Sequence, residues 1–282
     1  MLMNFTITKS TGQKEKFDVR KLTDSLVRSG APRDVAFEIA AKVAREMPPG
    51  SHTKAIYRMA RRLLKKYSAV SGMKYSLKKA LSSLGPSGYP FEKYMARVLR
   101  SHGYKAEVNK IIKGYCVSHE VDVVASRENE FAFVECKYHI NGGTATDVKV
   151  ALYVHSRFED IRKVFVKTPG KEDAVYQGWL VTNTRCTTDA IQYAECAGLK
   201  IVSWRYPAKD SLEKMIEGKK LYPVTVLPAA RKKTLDSLFN NDIILAQEIA
   251  DMSERDFLRR SGLDEATARA IKRQADNLCP CG

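Results

Sequence analysis

The sequence lacks any apolar run long enough to cross a membrane, because charged residues interrupt even hydrophobic segments such as Phe131–Val134. A membrane span needs about 18 or more consecutive apolar residues. The first residues, Met1–Phe5, also lack the basic and long apolar regions of a secretory signal. The six cysteines are scattered without such a signal, so no disulfide framework is expected. These absences predict a cytoplasmic protein with no membrane partner.

Acidic residues are scarce relative to basic ones, since 32 Asp and Glu stand against 48 Lys and Arg, a net charge of +16. The surplus is uneven: residues 1–88 hold 18 basic and 6 acidic residues, 89–207 hold 17 and 14, and 208–282 hold 13 and 12. With 44% hydrophobic residues the chain is not disordered. A balance this basic favours polyanionic partners, above all nucleic acid.

Hydrophobic periodicity divides the chain into three segments, residues 1–87, 88–207 and 208–282. The first begins with two short strands and continues with amphipathic helices, the third of them over residues 53–67. The last carries short helices between residues 234 and 278.

The middle segment begins after the turn-forming Gly85–Pro90 and alternates strands and helices. Its strands are predicted at 121–125, 131–137, 178–182 and 200–204. We therefore expect an α/β fold, α+β overall, in which helices flank a central mixed β-sheet. A small α+β domain precedes that sheet and a helical segment follows it.

Three charged side chains stand out on two neighbouring strands of this predicted sheet. Glu135 and Lys137 project from one face, and a short turn places Asp122 on the adjacent antiparallel strand. Both strands are otherwise apolar, so these groups are costly unless they pair or bind a metal. Carboxylate oxygens suit Mg²⁺ or Mn²⁺, and the lysine could orient a water for metal-assisted phosphodiester hydrolysis. A Glu-Cys-Lys triplet alone also occurs by chance on solvated strands, so the order of the motifs has to carry the interpretation.

That order resembles the PD-(D/E)XK nuclease superfamily and, within it, the Mrr-like restriction endonucleases. The matching segments are Gly88–Tyr104, His119–Val123, Phe133–Lys137, Leu180–Asn183, Ala190–Gly198 and Ile201–Trp204. The resemblance implies a restriction-endonuclease-like fold and a Mg²⁺- or Mn²⁺-dependent endodeoxyribonuclease of a restriction system. Its partner would be double-stranded DNA. Because cutting both strands needs two sites, a homodimer or higher oligomer is favoured.

The same resemblance assigns the site residues. The catalytic set is Glu92, Asp122, Glu135 and Lys137. Asp122, Glu135 and the carbonyl oxygen of Cys136 would hold the metal, while Glu92 supports the site from its helix.

Three further residues, Glu120, Lys149 and Tyr153, are alternative candidates for the site. On an ideal strand Glu120 shares the face of Asp122 and is a reserve ligand. A Gln-x-x-x-Tyr motif of some relatives appears here as Lys149-x-x-x-Tyr153. Tyr153 therefore matches the motif, and Lys149 in place of the glutamine could contact a phosphate.

The first segment has a resemblance of its own, because Ile7–Leu22 is similar to the start of the ATP-cone, a small regulatory nucleotide-binding domain. It implies that Lys9 and Lys21 contact the phosphates of ATP or dATP as an effector. The usual Lys-Arg pair is Lys9-Ser10 here, so one cation is missing. Two interpretations stay open. The segment is either a nucleotide sensor that regulates the nuclease activity, or a degenerate ATP-cone that binds DNA.

The C-terminal Leu235–Leu278 loosely resembles tandem helix-hairpin-helix modules with a turn at Ser261–Leu263, and a helical oligomerisation cap is the alternative. The spacing of Cys279-Pro-Cys281 is not that of a zinc site. Together these features predict a metal-dependent endonuclease. A non-enzymatic ATP-responsive DNA-binding regulator is the alternative, and an RNase is not separable by sequence because such a site attacks either phosphodiester.

Overall fold

The computed structural model describes residues 5–9, 12–166 and 174–280. The strands are β1 (Thr6–Thr8), β2 (Lys14–Lys16), β3 (Lys105–Lys113), β4 (Ser118–Arg127), β5 (Glu130–Lys137), β6 (Ala145–Thr146), β7 (Val175–Thr182), β8 (Arg185–Cys186) and β9 (Lys200–Val202). The helices of the first 101 residues are α1 (Val19–Arg28), α2 (Arg33–Glu46), α3 (Thr53–Tyr67), α4 (Ala69–Tyr75), α5 (Leu77–Leu81) and α6 (Tyr89–Ser101). The remaining helices are α7 (Val148–Phe165), α8 (Thr188–Ala197), α9 (Leu212–Gly218), α10 (Lys232–Asn240), α11 (Ala246–Ala250), α12 (Glu254–Ser261) and α13 (Glu265–Leu278). Ser10 of the ATP-cone resemblance and Cys281 of the C-terminal tail lie outside the described residues.

The central sheet has five strands in the order β3-β4-β5-β7-β9. Strand β4 runs antiparallel to both β3 and β5, whereas β5, β7 and β9 run parallel to one another. The parallel strands are connected through α7 and α8, as a parallel connection requires. The predicted mixed sheet with flanking helices is therefore confirmed.

Alternation along β5 assigns its residues to the two faces of this sheet. Ala132, Val134 and Cys136 belong to the core that contains α6. Phe133 points to the other face and packs against Phe158 of α7. Glu135 and Lys137 follow Phe133 at the period of a strand, so their side chains leave the sheet on the side of α7.

The core beneath α6 also includes the C-terminal helices, through residues such as Phe257 and Ile271. The hydroxyl of buried Tyr94 donates to the carbonyl oxygen of Leu221 at 2.8 Å. On the outer side of α6, Arg97 is paired with Asp242 at 2.6 Å. These contacts fix α6, and with it the N-terminal end of that helix, against residues that follow the sheet.

The first two strands and helices α1 to α3 form a second core of their own. Phe5 and Phe17, which flank the hairpin, stack with ring centroids 4.8 Å apart. Leu26 of α1 and Leu64 of α3 are completely buried there. Leu77 and Leu81 of α5, in contrast, are buried in the core of the large sheet.

One strand of the sheet is not predicted by the sequence patterns. Strand β3 lies at the edge and most of its residues are exposed, including Lys105, Lys110 and Lys113. Exposed charged residues of this kind are typical of edge strands because they prevent pairing with other chains. The absence of a regular apolar alternation left this strand without a recognisable signal.

Two expectations from composition can be compared with the described ranges. None of the helices in those ranges is both long and apolar enough to span a bilayer. The five cysteines described there, Cys116, Cys136, Cys186, Cys196 and Cys279, are free thiols. No disulfide therefore connects the described parts of the chain.

Gly178 of β7 tests how closely α7 packs on the sheet. A Cβ atom at this position would lie 2.7 Å from Cγ of Phe158 and 3.0 Å from Cδ1 of Leu199. We expect Gly178→Ala to lower the free energy of unfolding, measured with urea, by about 1–3 kcal/mol because the core is overpacked. The control is Gly218→Ala at the end of α9, where an added Cβ would have no neighbouring side chain within 4 Å. There we expect no loss of stability, and equal losses at both positions would contradict the packing described.

Candidate active site

The candidate site lies where the pairing of β4 with β5 stops. The last paired residues are Val123 and Val134, so the register places Asp122 opposite Glu135 one position further along. There the backbone N–H of Cys136 donates to Oδ2 of Asp122 at 2.7 Å. The side chain of Asp122 thus accepts the hydrogen bond that a backbone carbonyl of β4 would otherwise accept. The two strands separate at this point, where the carboxylates of Asp122 and Glu135 meet.

Strand β4 is irregular at the same point on its other side. The pairing with β3 skips Asn109, which has a left-handed φ of 52°. Val121 is buried against α7, whereas Val123 is buried in the α6 core. In a regular strand, residues two positions apart would point to the same face. The alternation is therefore interrupted at Asp122. The prediction that Glu120 shares the face of Asp122 assumed an ideal strand; Glu120 is exposed and is not among the residues that line the cleft.

A cleft of about 490 Å³ brings the predicted catalytic residues together. It is lined by Pro86, Gly88, Glu92, Asp122, Glu135, Cys136, Lys137, Tyr138, His139, Ile140, Asn141 and Thr144. Glu92 enters from the first turn of α6, and its Oε1 lies 3.2 Å from the place of a Cβ on Gly88. The thiol side of Cys136 is buried in the α6 core, so the backbone of this residue faces the cleft. Lys137 is exposed at the end of β5.

The carboxylates of the cleft bind protons more readily than usual. Burial raises the pKa of Glu135 to about 7, and the charge of Asp122 adds to the effect. Burial also raises the pKa of Glu92 to about 7, with further contributions from Asp122, Glu120 and Glu135. The pKa of Asp122 is raised by burial too, although the hydrogen bond from the N–H of Cys136 opposes the shift. Shifts with these causes are typical of functional sites.

Arg157 of α7 is a site residue that the sequence patterns did not reveal. Its Nη1 donates to Oε2 of Glu135 at 2.7 Å and to the hydroxyl of Tyr153 at 2.6 Å. Its Nη2 donates to the carbonyl oxygen of Glu120. The guanidinium therefore joins α7 to both strands and lowers the pKa of Glu135 against the effect of burial. The four-residue spacing of Lys149, Tyr153 and Arg157 on one helix face was the available signal.

The chain after Lys137 is fixed by a pair of hydrogen bonds from Asn183, which is completely buried at the end of β7. Its Oδ1 accepts the N–H of His139 at 2.9 Å, and its Nδ2 donates to the carbonyl oxygen of His139 at 2.8 Å. The imidazole of His139 is within 2.9 Å of the Thr146 hydroxyl. Burial and the charge of Lys137 lower the pKa of His139, which favours its neutral form.

The other predicted contacts lie elsewhere. Lys149 is exposed in the first turn of α7, and Tyr153 is held by Arg157. In the N-terminal hairpin, Nζ of Lys9 is paired with Oε2 of Glu15 at 2.7 Å. Lys21 is exposed in the first turn of α1. None of these four residues lines the cleft.

The donors in the cleft are chemically suited to a hard divalent cation. In the described ranges, no three His, Cys, Asp or Glu side chains are grouped so that they could hold a metal by themselves. The predicted ligand set uses only two side chains, Asp122 and Glu135, together with a backbone oxygen of Cys136. Carboxylate and carbonyl oxygens are ligands that Mg²⁺ accepts, with waters completing its shell. A cation between them would relieve the repulsion by which Asp122 raises the pKa of Glu135, so these residues fit the metal.

Comparisons with known proteins support this interpretation of the middle segment. Residues 85–206 match the Mrr catalytic-domain family, described as a restriction endonuclease, and residues 222–279 match the C-terminal region of AF1548-like proteins. An uncharacterized protein of Archaeoglobus fulgidus is 36% identical over 184 residues, 65% of this chain and 99% of the relative. The crystal structure of a protein of unknown function, AF1548, matches with a TM-score of 0.57 and 34% identity, over 68% of this chain and 98% of that chain. The predicted restriction-endonuclease domain is confirmed, whereas the resemblance to the ATP-cone stays a prediction.

The raised pKa values lead to a pH dependence of metal binding. Below about pH 7, Glu92 and Glu135 carry protons in the metal-free protein, and a metal ion has to displace them. We therefore expect Mn²⁺ to raise the melting temperature more at pH 8 than at pH 5.5. Glu135→Gln should lose this pH-dependent increment. An increment that is equal at both pH values, or that survives in the variant, would contradict the site.

Arg157 can be tested without metal or substrate. Because its charge lowers the pKa of Glu135, Arg157→Gln should move the titration midpoint of that carboxyl to higher pH. The measurement is a ¹³C NMR titration of the side-chain carboxyl groups. Lys149→Gln, two turns earlier on the same helix, removes the same charge and should leave the midpoint in place. Equal midpoints in all three proteins would show that the ion pair is absent in solution.

Proposed function

Because the chain belongs to the AF1548-like family and carries a restriction-endonuclease domain, we propose that it is a metal-dependent endonuclease that hydrolyses phosphodiester bonds of DNA. The observation that carries this proposal is the convergence of Asp122, Glu135 and Lys137 in one cleft at the open end of the β4–β5 pair. Carboxylates there are costly to keep charged, so their presence needs a chemical reason.

In this proposal each residue has a distinct role. Asp122 and Glu135 hold the divalent cation together with the carbonyl oxygen of Cys136. The ammonium group of Lys137 orients the attacking water and balances charge on the scissile phosphate. Glu92, whose pKa lies near 7, is suited to exchange a proton with a water near neutral pH.

Mg²⁺, or Mn²⁺ in its place, would lower the pKa of a bound water and stabilise negative charge on the phosphate. The protein side of the site is arranged around that requirement. Arg157 favours the ionised form of Glu135, and the N–H of Cys136 does the same for Asp122. Asn183 keeps the chain beyond Lys137 in place.

The substrate class follows from the family rather than from a base-reading element. A nuclease domain of the restriction-endonuclease type acts on DNA, and cutting both strands of a duplex needs two such sites. We therefore propose double-stranded DNA as substrate and a homodimer or higher oligomer as the cutting form.

Nucleotide regulation is a separate hypothesis, and the hairpin geometry does not favour it. Lys9, one of the two predicted phosphate contacts, is already paired with Glu15, so a nucleotide would have to break that pair. The hypothesis predicts that ATP or dATP changes the rate of cleavage. The alternative function, a DNA-binding regulator that responds to ATP and does not cut, predicts binding without cleavage.

Plasmid cleavage in Mg²⁺ or Mn²⁺ tests the proposal directly. We expect Asp122→Asn, Glu135→Gln and Lys137→Met each to lower the cleavage rate by about 10²-fold or more, since each removes a metal ligand or the water-orienting amine. The matched controls are Glu38→Gln on α2 and Lys113→Gln at the end of β3, which are both exposed. They should cut like the wild type.

Two outcomes would contradict the proposal. Equal cleavage by all six proteins would point to a contaminating nuclease or to another site. If the protein cleaves a matched RNA but not DNA, and the same three variants lose that activity, the assigned catalytic residues are correct but the substrate is RNA.

A further inference from the structure

A basic groove lies between helices α3 and α5, away from the residues of the active-site cleft. It encloses about 550 Å³ and is lined by Tyr57, Arg58, Arg61, Arg62, Lys65, Lys66 and Lys79. The cations of α3 recur every three or four residues, so they form a stripe along one face of that helix. At 1.5 Å per residue, the stripe from Arg58 to Lys66 is about 12 Å long.

The charge of this groove is not neutralised by the protein. Residues 47–91 contain no Asp or Glu, but they contain Lys54, Arg58, Arg61, Arg62, Lys65, Lys66, Lys74, Lys78 and Lys79. Across the ion pairs of the described residues, no cation that lines the groove has a carboxylate partner. Elsewhere in the same domain pairs do form, as between Lys42 and Glu46. The surplus of cations is therefore concentrated at one place.

Two residues that line the groove each carry a polar side-chain atom that the described residues leave unpaired. Nε of Arg61 and the hydroxyl of Tyr57 are buried and have no hydrogen-bond partner among the described residues. Buried donors are nearly always paired, because leaving them unpaired costs free energy. Because both atoms are shielded from solvent, each side chain would have to turn toward the groove to bond an acceptor of a bound ligand.

The groove is connected to the active-site cleft through α5. Lys79 lines the groove, and Ser82 follows it by about one helical turn. The Ser82 hydroxyl lies 3.4 Å from Nδ2 of Asn183, the residue that holds His139 in the cleft. It also lies 3.6 Å from the position of a Cβ on Gly142 in the loop that follows. Lys79 of the groove and the loop after β5 are therefore linked through the end of α5.

We propose that the groove between α3 and α5 binds the sugar-phosphate backbone of the duplex DNA whose phosphodiester bond lies in the active-site cleft. The inference rests on the proposed function for its choice of DNA. A stripe of about 12 Å matches three to four base-pair steps of a strand, since the phosphates of one strand advance by about 3.4 Å per step. A single nucleotide would occupy only part of it, and neither Lys9 nor Lys21 lines the groove.

The test measures binding of a labelled DNA duplex by the full chain in EDTA, where metal-dependent cutting is absent. The variant Arg58→Gln/Arg62→Gln/Lys66→Gln changes three exposed side chains, so the fold is retained. The slope of log affinity against log salt is negative, and each lost phosphate contact reduces its magnitude by about 0.9. The magnitude should therefore decrease by about 2 to 3. The affinity at moderate salt should decrease by roughly tenfold or more.

The matched control is Arg231→Gln/Lys232→Gln/Lys233→Gln, which removes the same charge from exposed residues at the start of α10. It should keep most of the wild-type slope and affinity. If the two triple variants lose the same slope, only net charge matters and the groove proposal is wrong. It is also wrong if the groove variant binds duplex DNA normally but loses binding of ATP, or if the groove binds single-stranded RNA in preference to duplex DNA.

Cleavage separates this proposal from the proposed function. With Mg²⁺, the groove variant should cut at the wild-type rate when DNA is saturating, and the DNA concentration for half-maximal rate should rise by roughly tenfold. If the wild-type protein binds DNA through the groove in EDTA but never cuts it, the proposed nuclease activity is wrong and the proposed DNA-binding groove is retained. A protein that cuts but whose binding is unchanged in the groove variant would overturn the groove alone.

Discussion

The candidate site depends on one electrostatic constraint, the placement of two carboxylates opposite each other at the point where β4 separates from β5. Asp122 is held by the N–H of Cys136 and Glu135 by the guanidinium of Arg157. Each interaction favours the ionised form of a group that burial drives toward the protonated form. The remaining imbalance appears as a pKa near 7 for Glu135. A carboxylate pair left in this condition binds a divalent cation more readily than a fully neutralised pair would.

The rest of the domain keeps these groups in position. Helix α7 supplies Arg157 and packs through Phe158 against the sheet, where Gly178 leaves no room for a side chain. Helix α6 supplies Glu92, and the helix is fixed by Asp242 on its outer side and by Leu221 in the core. The C-terminal helices therefore act on the site indirectly, through a core they share with the sheet. This position gives them a structural role whether or not their hairpin also contacts DNA.

The sequence predicted the elements whose patterns are local. Helix α3 has the predicted bounds, and β5 was recognised because a run of apolar residues, Phe131–Val134, lies within it. The edge strand β3 was missed since its exposed positions carry lysines. The interruption at Asp122 could not be predicted, because it arises from the way β4 leaves both neighbouring strands. Arg157 was missed for a related reason: its spacing places it on the helix face of Tyr153, but its pairing with Glu135 depends on how α7 crosses the sheet.

The distribution of charge follows from the chemistry of such a site. Until a cation is bound, the carboxylates of Glu92, Asp122 and Glu135 oppose the approach of DNA phosphates, and Lys137 is the one Lys or Arg among the described residues that line the cleft. The central segment has nearly as many acidic as basic residues, whereas residues 1–88 carry 18 basic and 6 acidic residues. Placing the cations on α3 separates DNA attraction from metal binding, because the groove and the cleft share no lining residue. In the proposed arrangement, a basic groove outside the cleft would hold the DNA backbone without displacing the metal.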